Sequence, residues 1–440
     1  MVFPCFHFCL MLMRLGDILI EDQLFYGLCK ADKGGCPCMC PGFTVENIGA
    51  FSGAWIGSAE RKAMGKYNVL DLFAGVGGLS YGFSRLPEFR ILAANEIERD
   101  IAVAYALNYP DVQMINCDIR ELCEQKLRDV LGKNRIDVVL GGPPCQSYST
   151  LGKRKLDERD NLFLQYKRVL QVLNPRAFVF ENVTGILSMA KGRLFEQIKE
   201  EFEALGYHLC HKVLNALEYG VPQQRERVFL VGMRGHNNFR YPTPTHGEGK
   251  SSLGSSNPVM LPDPHAWRRE KPFLRLKDAL GDLPALKSGQ YKDYYEKPAD
   301  SEFLRFVRKN GCTVLSEHRS PKNGEHLIRI MEALKEGQSK DDLPEEIRPR
   351  SGYGNTYAKL WWDKPSTTIT RNFACPSSSG CIHPRDSRAM SIREGARLQS
   401  FPDDYQFYGS DSMKRLEIGN AVPPLPSMAI AKSMLEALEE

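Results

Sequence analysis

Asn68-Val-Leu-Asp-Leu-Phe-Ala-Gly-Val-Gly-Gly-Leu79 is the stretch on which the reading of the fold turns. Its first six residues are an apolar run broken by Asp71, and they read as a buried strand. Glycines 75, 77 and 78 then end the run before a helix-like stretch begins. Glycine at a strand-to-helix turn lets the backbone bend tightly and approach a ligand closely. The spacing Gly-x-Gly-Gly lacks the third glycine, three residues on, of the dinucleotide-binding loops. A nicotinamide dehydrogenase is therefore a poor reading of this loop.

Outward from it, short apolar runs recur at 91–94, 112–115, 137–140, 177–180 and 227–231, separated by helix-like stretches. Strands alternating with helices predict a parallel, doubly wound α/β sheet, whose ligands bind beyond the carboxyl ends of the strands. The rhythm stops after Met233. Residues 236–388 are rich in Pro, Gly, Ser and scattered aromatics, with short helical patterns near 301–310 and 325–337. Ser391 to Leu398 reads as a helix start, and Pro426 to Leu438 as an amphipathic helix.

The chain has 440 residues, with 42% hydrophobic and 25% charged, which is ordinary for a globular protein with a large core. No apolar run reaches the roughly 18 residues needed to span a membrane. The apolar start, residues 1–13, has neither a basic beginning nor a small-residue cleavage site, so it is not read as a signal peptide. Net charge is +4, unevenly placed: residues 240–388 hold 25 Lys and Arg against 19 Asp and Glu. A basic module in a neutral chain suits a polyanion, although a solvated basic face is an equal reading on charge alone.

Six of the 13 cysteines fall in the first 40 residues, three of them alternating within 36–40. Zinc ligands are usually spaced by two to four residues, so no metal is expected. The remaining cysteines are scattered and read as free thiols in a reducing compartment. Residues 1–64 read as an extension outside the fold, with Met64 a candidate natural start.

The chemistry-bearing segments fall at the ends of the expected strands. Asn95-Glu96 closes the second, where a carboxylate can take both hydroxyls of a ribose, and Asp118 follows the third. Gly141-Gly-Pro-Pro-Cys145 follows the fourth. Its prolines stiffen the backbone and fix the thiol at a loop tip. Glu181-Asn182-Val183 ends the next strand, which a doubly wound sheet sets beside the Cys145 loop. Gln223-Gln-Arg-Glu-Arg227 offers two guanidiniums toward the same edge, and Gly419-Asn-Ala-Val-Pro-Pro424 opens the last helix as a lid for the glycine pocket.

DLFAGVGG, NEIE, PPCQ, ENV, QQRERVF, REGARLQSFP and GNAVPP, in that order over residues 67–438, resemble the motif set of the cytosine-C5 DNA methyltransferases. Pro365-Ser-Thr-Thr-Ile369 is similar to the element that closes the family's target-recognition domain. The resemblance implies a Rossmann-like, S-adenosylmethionine-dependent methyltransferase sheet with a smaller irregular target-recognition domain. Residues 65–235 would form the catalytic and cofactor-binding domain, 236–388 the target-recognition domain, and 389–440 the return to the catalytic domain.

The same resemblance implies roles. Phe73, Gly75 and Gly77 would hold the methionine end of S-adenosylmethionine, Glu96 the ribose and Asp118 the adenine, with Pro143, Asn420 and Val422 completing the pocket. Cys145 would attack the base, Glu181 would protonate or hydrogen-bond N3 of cytosine, Arg227 would contact O2, and Arg225 would support that loop. It further implies a monomer acting on double-stranded DNA in the bacterial cytoplasm, within a restriction-modification pair whose endonuclease works independently. Two other readings run against the sequence. A tRNA-specific relative has little between the arginine and late motifs, whereas this chain has some 150 residues there. An inactive DNA-binding relative would not need the intact Pro-Pro-Cys, Glu-Asn-Val and Gln-Arg-Arg sets.

Overall fold

Seven strands form one sheet: β1 Tyr67–Leu72, β2 Phe89–Glu96, β3 Gln113–Asn116, β4 Val138–Gly141, β5 Ala177–Val183, β6 Tyr207–Asn215 and β7 Glu226–Arg234. Their spatial order is β3-β2-β1-β4-β5-β7-β6. The computed structural model describes residues 65–144, 162–236, 238–247, 271–308, 313–350 and 356–440. Cys145 and the 1–64 extension therefore lie outside the described residues. Gly65–Glu440 constitutes one compact unit.

Successive residues of a strand point to opposite faces, so a sheet covered on both sides needs apolar residues throughout. The central strands obey this. Leu70, Leu72, Val139, Phe178 and Phe180 enter one core, with α3 (Glu124–Leu131), α4 (Leu162–Leu173) and α5 (Arg193–Glu203) over it. Val69, Val138, Leu140, Ala177 and Val179 enter the other, under α1 (Gly78–Ser84) and α11 (Pro424–Glu439). Each of the Val, Leu and Phe side chains contributes about 1.5–3 kcal/mol by leaving water.

The sheet departs from the all-parallel expectation at one side. β1 to β5 pair parallel, but β7 runs antiparallel to β5, and β6 antiparallel to β7. The β6–β7 connection, residues 216–225, is a hairpin-type link built on a 3-10 turn, too short for a parallel crossover. β6 itself escapes the apolar-run criterion because it is an edge strand, with His208 and His211 exposed among half-buried neighbours.

The remaining helices are α2 (Arg99–Asn108), α6 (Leu276–Leu280), α7 (Glu302–Val307), α8 (Glu325–Ala333), α9 (Ile392–Leu398) and α10 (Asp411–Asn420). Local chemistry sets their starts. Ser391 accepts from the Glu394 amide while Glu394 bonds back, Ser410 caps α10, and Pro424 occupies the first turn of α11. The segment 236–388 shares its main core with the sheet domain: Leu276, Phe303, Leu360 and Ile369 pack with Tyr81, Tyr105, Ala396 and Ile418. A small cluster of its own joins Ile330, Met331, Leu334, Leu343 and Ile382. No helix among the described residues is long and apolar enough to cross a membrane.

Candidate active site

Because β7 is antiparallel, its first residues lie at the same edge as the carboxyl ends of β1, β2, β4 and β5. On that edge the first strand ends in three left-handed residues, with φ of 54° at Phe73, 56° at Gly75 and 90° at Gly77. Among the described residues a Cβ built on Gly75 meets nothing within 4 Å, so the space above it is open to them. The Gly75 amide donates to Glu96 Oε2 at 2.9 Å, and the Glu98 amide to Oε1 at 3.0 Å. Burial raises the Glu96 pKa against the pull of these bonds. Each carboxylate oxygen retains a second lone pair, so Glu96 can still accept from two hydroxyls.

Around this cradle the backbone is packed too closely for side chains. A Cβ on Gly78 would lie 2.1 Å from the Val422 carbonyl oxygen, which puts the 419–424 turn directly over the glycine loop. Asn420 is exposed and Val422 buried. Beneath the loop, the Tyr109 hydroxyl donates to the Gly77 carbonyl at 2.7 Å and Tyr405 to that of Val76 at 2.5 Å. Ser80 donates to Asp71 at 2.6 Å, and burial raises the Asp71 pKa to about 7. Asn95 holds the carbonyls of Ile115 and Cys117. Asp118 caps the short turn after β3, and its carboxylate is engaged by the Arg120 amide and guanidinium, which lower its pKa. Ile97, more than half exposed, offers an apolar surface beside Glu96.

At the β5–β7 pair the register explains a second constellation. Val183 faces Arg227 and Glu181 faces Phe229, so Glu181 and Arg227 are diagonal neighbours on one face. Arg227 Nε stands 3.0 Å from Glu181 Oε1, with both side chains largely buried. Burial raises the Glu181 pKa, and the attraction of Arg227 and then Arg225 offsets only part of that rise. A proton on this carboxyl is thus easier to keep than on an exposed one. A Cβ on Gly142 would lie 2.9 Å from Glu181 Oε2, and Asn182 Nδ2 donates to the Pro143 carbonyl at 2.9 Å. The backbone leading to Cys145 is thereby tied to the carboxylate's own strand.

Arg225 occupies a different place. It is 1% exposed, and donates to the carbonyls of Ile369 (2.9 Å), Gly419 (2.8 Å) and Ala421 (3.0 Å). Its reach is to backbone, whereas Arg227 reaches the edge. Burial and the nearby Arg227 lower its pKa.

The REGARLQSFP segment does not reach the edge with its charges. Arg393 and Arg397 are fully buried, as is Arg388 just before the segment. Arg397 binds Asp403 (2.6 Å) and Asp282, Arg388 binds Glu394 (2.7 Å), and Arg393 donates to the Pro402 carbonyl. It is an internal brace.

Asn182, Gln223 and Gln399 stand inside quoted motifs, but an amide's partners cannot be read from its spacing. Tyr105, Tyr109 and Tyr405 lie in no motif at all. Among the described residues no cluster of His, Cys, Asp and Glu is arranged to hold a metal.

Residues 67–436 match the family model described as C-5 cytosine-specific DNA methylase. The chain is 35% identical to the Type II methyltransferase M.DdeI of Desulfomicrobium norvegicum over 83% of its length and 88% of that protein. It is 32% identical to M1.HphI of Haemophilus parahaemolyticus, covering 83% and 86%. Among solved structures, a DNA modification methyltransferase encoded within an E. coli prophage aligns with TM-score 0.64 at 23% identity, covering 85% of this chain and all of that one. The S. pombe Dnmt2 methyltransferase aligns at 0.53 and 17%, again over 85% of this chain and all of the other. Both show the same fold.

Proposed function

The chain belongs to the C-5 cytosine-specific DNA methylases, and from that premise we propose that it methylates C5 of a flipped-out cytosine in a specific duplex sequence through an adduct with Cys145. The observation that carries this reading is the buried Glu181 carboxyl, paired with Arg227 and packed against Gly142, three residues before Cys145.

C5 of cytosine is a weak nucleophile. Attack of the Cys145 thiolate on C6 forms a C–S bond and pushes electron density toward N3 and C5. Glu181, its pKa raised by burial, delivers a proton to N3 and relieves that charge. Arg227, held by Glu181 on the neighbouring strand, is placed to donate to the base's O2. S-adenosylmethionine supplies an electrophilic methyl group when bound. Gly75, Glu96 and the Gly78–Val422 contact fit such a group: an open glycine cradle, a buried acceptor for ribose hydroxyls and a backbone lid. Phe73, Gly77, Asp118, Pro143 and Asn420 would complete its contacts. Loss of the C5 proton to solvent, return of the N3 proton to Glu181 and expulsion of the Cys145 thiolate then restore aromaticity.

None of this proceeds inside a stacked duplex, so the base must be turned out of it. Residues 236–388, with their basic excess, would read the flanking bases and grip phosphates. Relatives named as Type II methyltransferases support a role in restriction-modification. In our reading the enzyme acts as a monomer, apart from any cognate endonuclease.

Duplex DNA carrying 5-fluorocytosine tests the reading. With S-adenosylmethionine present, the wild-type chain should form a covalent adduct that survives denaturation, and Cys145→Ser should form none while still retaining DNA. Wild-type adducts on tRNA but not on duplex would move the substrate to RNA, and turnover by Cys145→Ser would remove the nucleophile.

A further inference from the structure

Three buried side chains meet where the cofactor lid, the Glu181–Arg227 edge and the return from the 236–388 segment come together. Gln223 accepts from the Ile369 amide at 2.8 Å and donates to the Leu398 carbonyl (2.8 Å) and to Gln399 Oε1 (3.1 Å). Gln399 donates in turn to the Ile418 carbonyl at 2.8 Å. Arg225 donates to the Ile369 carbonyl and to Gly419 and Ala421. Ile369 is thus held at both its amide and its carbonyl, by two routes that run separately to the 418–421 turn. Gln223 and Gln399 have no measurable exposure.

The junction is bounded by bare backbone contacts. A Cβ on Gly419 would lie 2.2 Å from the Arg371 amide nitrogen, and one on Gly78 would lie 2.1 Å from the Val422 carbonyl. Residues 366–369 are also laced to 222–224: Ser366 to the Pro222 carbonyl, the Gln224 amide to Ser366, and Thr368 Oγ1 to the Gln224 carbonyl. With no side chain to cushion these contacts, a shift of the lid is passed to 369–371 as backbone against backbone. Arg225 Nε is buried without an acceptor among the described residues. An unmet buried donor is costly, so a rearrangement that gives it an acceptor is favoured.

We propose that Gln399, acting through Gln223, is a positioning residue that couples cofactor occupancy to DNA binding. The inference rests on the proposed cofactor and substrate. A group seated on the glycine loop loads the Gly78–Val422 contact, and DNA held by 236–388 loads 366–371. Both loads meet at Ile369. Coupling between two sites is reciprocal, so each ligand must tighten the other by the same factor.

The test measures retention of labelled genomic DNA fragments, from cells lacking the enzyme, with and without S-adenosylhomocysteine, alongside S-adenosylhomocysteine binding alone. For wild type we expect about tenfold tighter DNA binding with the product present. Gln399→Met should reduce that factor below about twofold while S-adenosylhomocysteine affinity in the absence of DNA changes less than about threefold. Gln399→Glu, nearly isosteric but with a carboxylate oxygen in place of the donor to Ile418, should act in the same direction. Wild-type coupling in either folded variant, no coupling in wild type, or a loss confined to cofactor affinity would each overturn the proposal.

Hydrogen exchange on the wild-type protein needs no variant. S-adenosylhomocysteine alone should slow exchange in peptides spanning 366–371, and unchanged exchange there also overturns it. Failure of wild type to bind S-adenosylhomocysteine or to methylate duplex DNA would instead sink the proposed function itself.

Discussion

Two regions of this molecule collect arginines and carboxylates, and they are built on opposite terms. Around α9, Arg388, Arg393 and Arg397 are buried with carboxylates and carbonyls: Arg397 between Asp282 and Asp403, Arg388 between Glu394 and Asp386. At the β5–β7 edge, among the described residues, Glu181 has one ion-pair partner and a raised pKa, while Arg225 keeps a donor unmet. Full pairing lowers the pKa of Asp403, and that of Glu394 as well, so both stay ionised. Incomplete pairing leaves Glu181 able to exchange a proton. The difference separates a brace from a working site more clearly than charge or burial, which the two regions share.

The sharpest way to break this comparison is Glu181→Gln. The amide still offers an oxygen to Arg227 but holds no proton for N3. Methyl transfer should fall on the order of 10²–10⁴-fold, the usual size of a lost general acid. The melting temperature should hold within a few degrees. Single-turnover kinetics and a thermal melt check both, and an equal loss of stability would make the edge another brace.

Arg397→Met makes the converse case. Among the described residues it leaves Asp282 with only Arg308 at 3.3 Å and Asp403 with only the distant Arg393 and the Tyr295 hydroxyl. Removing one partner of a buried pair costs about 3–5 kcal/mol, a large part of a domain's total stability. Urea unfolding should show that loss, and protein that remains folded should keep near-normal turnover per folded molecule.

Gly78→Ala is a smaller perturbation between the two. The new methyl group must displace the Val422 carbonyl, 2.1 Å from its position, and overpacking of this kind costs about 1–3 kcal/mol. The lid would shift while α9 keeps its ring. Calorimetric binding of S-adenosylhomocysteine should weaken by about tenfold, as 1.4 kcal/mol implies. Unchanged affinity would detach the lid from the cradle.

How much of this was legible follows from what kind of signal each part sends. β1, β4 and β5 are largely apolar runs because both faces are covered, and the glycine turn announces itself by composition. β6 is half-exposed and polar, so it sends no such signal. Periodicity carries no direction either, which is why antiparallel β7, and with it the diagonal meeting of Glu181 and Arg227, could not be read. Arg388, Arg393 and Arg397 look like surface residues, since arginine is seldom fully buried unless paired, and Arg397's partner Asp282 lies more than a hundred residues away. Tyr109 and Tyr405 act through hydroxyls on the carbonyls of Gly77 and Val76, contacts that exist only once the chain has closed.

The smallest expected effect probes the same contrast in a third buried acid, Glu417 on α10. It is 2% exposed; Oε2 accepts the Tyr408 amide at 3.3 Å, and Oε1 has no partner among the described residues. Burial raises its pKa to about 9; Tyr408 and Lys414 oppose the rise, while Asp100 and Glu317 add to it. In the unfolded chain a glutamate titrates near about 4.3. A folded pKa above the unfolded one means the stabilisation is complete below about pH 4.3 and drains away as pH rises toward 9. Glu394 and Asp403 run the other way, since their lowered pKa values make stability fall as pH drops. Glu417→Gln removes only the first trend. It should raise the melting temperature by roughly 2–4 °C at pH 8 and leave it unchanged near pH 4. A gain equal at both pH values, or a loss at pH 8, would mean that Glu417 is paired after all, and that unmet polar atoms do not distinguish the two kinds of region.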